Sequence, residues 1–161
     1  MNAIKERIDI DVVEMVEDDL DEVLEIEKTS FSSPWSKETF LIELKKNEFS
    51  RILLAKAKDK SIYSGILGYC CYWIVSDEMH ITNIAIHRRY RRRGIGEQLL
   101  RFLIKEAIKI GAKLITLELR ISNLSARALY EKLGFIPVAI RKKYYTIPKE
   151  DALIMLLKLE E

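Results

Sequence analysis

Histidine is scarce in this chain, and so are cysteine, proline and glycine. Only His80 and His87 occur in 161 residues, and the two cysteines, Cys70 and Cys71, are adjacent. That is neither a C-x-x-C pair nor a zinc spacing, and no Cys/His/carboxylate cluster compensates for it, so no metal is expected. Neighbours in a strand point to opposite faces, so the pair reads as buried or half-buried thiols of a reducing compartment. Three prolines and six glycines leave no room for a Pro- or Gly-rich linker or a low-complexity segment. The longest apolar run, about residues 66–75, is far short of the roughly 20 residues that cross a bilayer as a helix. Residues 1–24 are acidic and lack the apolar stretch of a signal peptide, so a cytoplasmic protein is expected, with no membrane partner. Neither charge dominates: 27 Lys and Arg face 25 Asp and Glu, a net charge of +2. A dedicated nucleic-acid-binding domain is usually more basic.

What is present is an ordinary globular composition, 48% hydrophobic and 32% charged. At this length one domain, residues 1–161, is expected, burying roughly 70% of the surface of its unfolded chain. The periodicities predict the order β, α, α, β, β, β, α, β, α, β, β. Residues 12–15 read as a strand, followed by a helix from the acidic turn at Asp18 and Asp19 to about Lys28, with Leu20, Val23, Leu24 and Glu27 at helical spacing. Ser36 is placed to cap a second helix whose apolar face is Phe40, Leu41 and Leu44. Strands over 51–58, 66–75 and 78–86, separated by short polar turns, form an antiparallel meander. Leu99, Leu100, Leu103, Ile104, Ala107 and Ile108 recur at three- and four-residue spacing in a helix beginning near Glu97 and ended by Gly111. Residues 114–119 are apolar on both faces, as in an internal strand. A helix over 123–133 closes at Gly134, and strands over 135–140 and 152–159 follow, with 144–148 as the loop between them. The fold class is α/β (α+β): a mixed sheet of about seven strands flanked by about four helices.

The richest stretch is Arg91, Arg92, Arg93, Gly94, Ile95 and Gly96, between the strand ending at Ile86 and the amphipathic helix. Glycine lets a chain approach a phosphate closely, and the first turn of a helix presents unpaired N–H groups at the positive end of its dipole. Arginines in such a turn add charge-assisted hydrogen bonds. The order strand, basic glycine-bearing turn, helix therefore points to a pyrophosphate or similar anion. The alternative is a solvated or nucleic-acid-facing patch, because Arg88 and Arg89 bring the run to five arginines in six residues. Such a patch has no need of glycines at a helix entrance.

Three further residues can carry chemistry. Glu118 sits near the end of the internal strand, where partial burial would raise its pKa toward that of a general base; the alternative is a salt bridge to Arg120 or another arginine. Tyr130, on the helix that follows, can donate a proton to a leaving thiolate, or simply pack in the core with its hydroxyl at the rim. Asn123 is a helix N-cap by default.

Arg91-x-x-Gly94-x-Gly96 after a strand resembles the acetyl-CoA signature of the GNAT (GCN5-related) N-acetyltransferases. The run from Leu117-Glu118-Leu119-Arg120 through Asn123, Ala128-Leu129-Tyr130 and Gly134-Phe135 is more specific. With Phe31-x-x-Pro34-Trp35-Ser36, Asn83-Ile84-Ala85-Ile86 and Tyr144-Tyr145, it is most similar to the protein N-terminal branch, the ribosomal-protein alanine N-acetyltransferases (RimI type). The resemblance covers about residues 10–159.

It implies the GNAT fold, acetyl-CoA as cosubstrate, and direct acetyl transfer in a ternary complex to the N-terminal amine of a protein. The acceptor it implies is the N-terminal alanine of a small-subunit ribosomal protein. By the same resemblance the amides of Arg92, Arg93, Gly94, Ile95, Gly96 and Glu97 hold the pyrophosphate, and the backbone of Ile84, Ala85 and Ile86 holds the pantetheine arm and thioester. Glu118 matches the general base, Tyr130 the general acid and Asn123 a CoA contact. Trp35, Tyr144 and Tyr145 fall where the acceptor peptide enters. His80 is similar to a second basic residue of archaeal N-terminal acetyltransferases with broader specificity. Broader N-terminal acetylation, a small-molecule amine acceptor and a nucleic-acid-binding module remain the alternatives.

Overall fold

The computed structural model describes residues 5–159, so the ends of the expected 1–161 domain lie outside the described residues. Seven strands form one sheet in the order β1-β2-β3-β4-β5-β7-β6, and four α-helices accompany it. The strands are β1 (Ile10–Glu14), β2 (Ser50–Ala57), β3 (Gly68–Val75), β4 (Glu78–Ile86), β5 (Leu114–Arg120), β6 (Ile136–Thr146) and β7 (Lys149–Lys158). The helices are α1 (Leu20–Ser30), α2 (Lys37–Lys45), α3 (Ile95–Lys109) and α4 (Leu124–Lys132). β1 pairs antiparallel with β2, β5 with β7, and β6 with β7, while β4 and β5 run parallel from Glu78↔Leu114 to Ile81↔Leu117. The mixed sheet and the element order agree with the sequence.

The chain divides into two compact units. The first comprises the chain up to Cys71 with Asn83–Phe102. Its core gathers Leu20, Val23 and Ile26 of α1 with Phe40 of α2, Leu54 of β2 and Tyr69 of β3. Those α1 positions lie three apart, so one stripe of the helix is buried while Asp21 and Glu22 occupy the first turn, where a negative charge suits the helix dipole. Ser36 caps α2 by accepting a hydrogen bond from the Thr39 amide at 3.1 Å. Cys71 lies in this core, and both cysteines are buried and form no disulfide.

The second unit comprises Tyr72–Thr82 with the chain from Leu103 onward. Alternate residues Ile115, Leu117 and Leu119 of β5 are buried, with Leu153 and Met155 of β7 and Phe135. At the end of α3, Gly111 takes a φ of +79°, and Ala112 N–H reaches back to the Ala107 carbonyl at 2.9 Å, which closes the helix. Gly134, at φ +100°, closes α4 in the same way, with Phe135 N–H donating to the Tyr130 carbonyl at 3.0 Å.

Two expectations change. α3 starts at Ile95 rather than near Glu97, so Gly96 belongs to its first turn. Tyr144 and Tyr145 lie in β6, not in a loop: the strand runs to Thr146, Tyr145 pairs with Glu150, and only Ile147 and Pro148 turn the hairpin. β6 is an edge strand whose register shifts twice, between Pro137 and Ala139 and between Arg141 and Tyr145. Those irregularities, with exposure along nearly its whole length, remove the alternation by which a strand is recognised.

Candidate active site

β4 delivers the chain to a short 3-10 turn at Arg88–Tyr90 and then to the arginine–glycine turn. Arg92 and Gly94 both adopt left-handed backbone conformations, with φ of 61° and 80°. Left-handed residues at alternate positions turn successive N–H groups toward one side, the geometry of anion-binding nests. Gln98 is the first residue of α3 whose N–H enters the helix's own bonding, to the Gly94 carbonyl at 3.1 Å. The amides of Ile95 and Gly96 precede it at the helix entrance and have no intrahelical acceptor.

The arginines divide by role. Arg91 donates from Nε to the Ile86 carbonyl at 3.0 Å and from Nη2 to Ser30 Oγ at 3.1 Å. Arg93 donates to the Glu6 carbonyl at 2.8 Å and to Tyr63 Oη at 2.6 Å, its guanidinium 5.1 Å from the Tyr63 ring centre. Both brace the turn from within. Arg92 is exposed, and no hydrogen bond or ion pair of its side chain is seen among the described residues. Gln98, which sequence reasoning passed over, completes the brace: its side chain accepts from Ile10 N–H at 3.1 Å and donates to the Ile8 carbonyl at 2.7 Å. Burial and the neighbouring Arg89, Arg88 and Arg91 push the pKa of His87 down, and its Nδ1 accepts from Arg89 N–H at 3.1 Å.

Ile84, Ala85 and Ile86 end β4. Gly68 on β3 lies so near them that a methyl group there would sit 2.9 Å from the Ala85 carbonyl oxygen. On the same strand as those three, Asn83 Nδ2 donates to Glu27 Oε2 at 2.9 Å and to Tyr69 Oη at 3.1 Å. Tyr69 Oη donates to the same Glu27 oxygen, and Glu27 Oε1 accepts from Trp35 N–H at 2.9 Å. Glu27 is 1% exposed, and desolvation raises its pKa against the hydrogen bonds of Trp35 and Asn83. Trp35 itself is half-buried, with its ring edge against Phe40 at 5.2 Å.

In the second unit, Glu118 meets a partner the sequence did not suggest. Its Oε2 lies 3.1 Å from His80 Nε2, while His80 Nδ1 lies 2.7 Å from Thr116 Oγ1. His80 thus bridges the two residues, Nε2–H donating to the carboxylate and Nδ1 meeting the threonine hydroxyl. The His80 hydrogen bond holds Glu118 below the usual carboxylate range, outweighing the desolvation that pushes it up. The expected upward shift is thus reversed. Arg120 is not the partner either: it pairs with Glu150 at 3.3 Å and donates to the carbonyls of Pro148 and Ile147, each at 2.8 Å. Its guanidinium stacks 4.2 Å from the Tyr145 ring centre, fixing the β6–β7 hairpin.

Tyr130 is buried against Phe135, and its pKa is pushed up to about 12, first by burial and then by Tyr145. Tyr145 is likewise pushed up to about 12, by burial first and by Tyr144 and Glu118 after it. Tyr145 therefore sits within electrostatic reach of Glu118 on one side and Tyr130 on the other. Tyr144 is 44% exposed, with Arg141 over its ring at 4.7 Å. Asn123 caps α4, its Oδ1 accepting from Ala126 N–H at 3.3 Å. Among the described residues no three His, Cys, Asp or Glu side chains group as a metal site, and no helix is long and apolar enough to cross a membrane.

Comparison with known proteins gives concordant matches. The model of the acetyltransferase (GNAT) family matches residues 20–135. A protein of Escherichia coli (strain K12) named [ribosomal protein bS18]-alanine N-acetyltransferase is 36% identical over 143 residues, covering 88% of this chain and 92% of that one. A Bacillus subtilis (strain 168) protein that carries the same name provisionally is 44% identical over 144 residues, 89% of this chain and 92% of that one. The crystal structure of the ribosomal-protein-S18-alanine N-acetyltransferase from Escherichia coli superposes with a TM-score of 0.83 at 34% identity, covering 94% of this chain and 95% of that one.

Proposed function

Because the chain belongs to the acetyltransferase (GNAT) family and is an acyltransferase, we propose that it transfers the acetyl group of acetyl-CoA to the N-terminal amine of a protein. The acceptor proposed is the N-terminal alanine of ribosomal protein bS18, the substrate in the names of its relatives, which would put the reaction in the cytoplasm. The observation that carries the reading is the helix entrance. The amides of Ile95 and Gly96, without intrahelical acceptors, follow two left-handed residues, and Arg92 is free to meet a phosphate. Arg91 and Arg93, engaged with the protein, position that turn, which also weakens the nucleic-acid alternative. One family model spanning residues 20–135, and relatives matched over most of their own length, support treating residues 1–161 as one working domain.

In this reading the backbone of Ile84, Ala85 and Ile86 aligns the pantetheine arm, and an N–H there meets the oxyanion as the thioester carbon becomes tetrahedral. Asn123 contacts CoA, while Trp35, Tyr144 and Tyr145 bound the acceptor peptide. The amine adds to the thioester carbon, and collapse of the tetrahedral adduct breaks the C–S bond while the extra proton on nitrogen leaves to water, with no covalent acyl-enzyme. The buried thiols of Cys70 and Cys71 suit no carrier role, and burial holds the Cys70 thiol up, protonated. An α-ammonium has a pKa near 8, so its deprotonation at neutral pH costs only about 1 kcal/mol. Glu118, held ionised, attracts that ammonium and passes its proton to water. Tyr130 keeps its proton at neutral pH and offers it to the departing sulfur. The His80–Glu118 contact favours a second reading of the acceptor, in which several N-termini are accepted.

The test is mass spectrometry of peptides incubated with the protein and acetyl-CoA: one beginning with the bS18 N-terminal sequence, others beginning with Ser or Met, and one blocked at its N-terminus but carrying lysine. Acetylation of the alanine peptide at its α-amine is expected. Modification of the blocked peptide alone would falsify the N-terminal reading.

A further inference from the structure

The mechanism leaves Glu27, the most deeply buried carboxylate among the described residues, without a task. Glu27 is 1% exposed, lies on the apolar stripe of α1, and is bonded through both oxygens. Its partners are the Trp35 amide, the Tyr69 hydroxyl and the Asn83 side chain. Trp35 belongs to the segment assigned to the acceptor, and Asn83 immediately precedes the three residues assigned to the thioester. We infer that Glu27 is a positioning residue for the transfer: through Asn83 and the Trp35 amide it fixes the wall of the acceptor site to the strand that carries the acetyl donor.

The geometry supports this over a packing role. A buried carboxylate is costly, and one needed only for packing is readily replaced by an apolar side chain of similar volume. Here each contact is a donor aimed at an oxygen, from three separate elements, and the helix residue is 8, 42 and 56 positions from them in sequence. A second tie runs in parallel, because Arg91 joins the Ser30 hydroxyl at the end of α1 to the Ile86 carbonyl at the end of β4. The end of α1 is thus pinned at both ends of the segment 83–86.

The inference rests on the N-acetyltransferase reading, and the test separates the two. Glu27→Gln takes the charge from the acceptor and leaves an NH2 that the Asn83 amide can meet only by turning over and giving up its bond to Tyr69, and Asn83→Asp sets two carboxylates against each other, so each removes the charge-assisted pairing. The double variant Glu27→Gln/Asn83→Asp exchanges amide and carboxylate: the amide now on α1 can donate to the carboxylate now on β4, while its carbonyl still accepts from Trp35 N–H. Peptide KM, kcat and the acetyl-CoA-induced rise in Tm are measured for all four proteins. Each single variant is expected to raise peptide KM roughly tenfold with the acetyl-CoA response intact, and the double variant to return within about threefold of wild type. Unchanged KM in the single variants, or a double variant as impaired as the two losses combined, overturns the inference. If Asn83→Asp does not fold, Tyr69→Phe, which removes one hydroxyl from the same cluster, takes its place; raised peptide KM supports the strut and wild-type KM overturns it. Wild-type turnover is read in the same assay. Its absence overturns the function itself, whereas normal wild-type turnover with unaffected variants overturns the strut alone.

Discussion

Gly68→Ala should destabilise the protein and blunt its response to acetyl-CoA, although strand propensity alone argues for the opposite. Exchanging a strand glycine for alanine ordinarily gains about 0.5–1 kcal/mol by restricting the unfolded chain. At position 68 the new methyl would lie 2.7 Å from Ile86 Cδ1, 2.9 Å from the Ala85 oxygen and 3.4 Å from Ile86 Cα. The isoleucine terminus can rotate away, but the carbonyl is backbone. Restoring ordinary contact at 3.4 Å from 2.9 Å means opening the β3–β4 spacing by about 0.5 Å at that residue. Overpacking of this kind costs about 1–3 kcal/mol, and a mid-range cost of about 2 kcal/mol leaves a net loss of about 1–1.5 kcal/mol after that gain. In a domain of this size that lowers Tm by roughly 2–6 °C. Because the shift falls on Ala85, a saturating excess of acetyl-CoA, worth about 2.7 kcal/mol at a hundred times Kd, should raise Tm less in the variant than in wild type. Gly111→Ala is the control. Its φ is +79° with nothing within 4 Å of the new methyl, so it pays only the left-handed backbone penalty and should keep the full ligand response. Thermal unfolding with and without acetyl-CoA reads all of these quantities. A Gly68→Ala protein as stable as wild type, or one with an undiminished acetyl-CoA shift, refutes the reasoning.

Glu118→Gln should lower kcat by about a hundredfold while leaving the acetyl-CoA shift intact, and full turnover would remove Glu118 from the proton path. Because the folded protein holds Glu118 below the usual carboxylate range, the carboxylate contributes stability above that range and loses it as pH falls through the folded value. The Tm gap between wild type and Glu118→Gln, present at pH 7, should therefore close in acid below about pH 4; a gap independent of pH contradicts the assignment. Arg92→Ala should weaken acetyl-CoA binding with little change in the Tm of the free protein, whereas Arg91→Ala should lower that Tm first by losing its bonds to Ile86 and Ser30. Equal effects of the two substitutions in calorimetric and thermal titrations would refute the division of roles.

The elements that read clearly from sequence are those whose signals are local. α3 announces itself by periodicity, Gly111 and Gly134 by their left-handed stops, and Ser36 and Asn123 by caps bonded within three residues. β4 occupies the expected residues, 78–86. What escaped depends on partners distant in the chain. The shift at Glu118 has the opposite sign because His80, 38 positions away, reaches it across the β4–β5 pairing. The arginines read alike in sequence, yet Arg91 and Arg93 are consumed by Ser30, Ile86, Glu6 and Tyr63. Glu27 left one clue, a charge on the same helical stripe as Leu20, Val23 and Leu24, but its meaning depends on residues from three other segments. Tyr144 and Tyr145 read as a loop because β6 is solvated and bulged, and strand patterning registers burial rather than hydrogen bonding.

That same strand bears on how the protein behaves when it is concentrated. An exposed edge with Ile136, Val138 and Ile140 at 54%, 50% and 53% accessibility is a template onto which another chain could add. β6 carries the means to refuse it. Pro137 has no N–H to offer, the two register shifts break the straight row of donors and acceptors, and Arg141, Lys142 and Lys143 place three like charges in succession along the strand. The bulging that hid the strand from its own sequence pattern is thus also a guard against edge-to-edge aggregation.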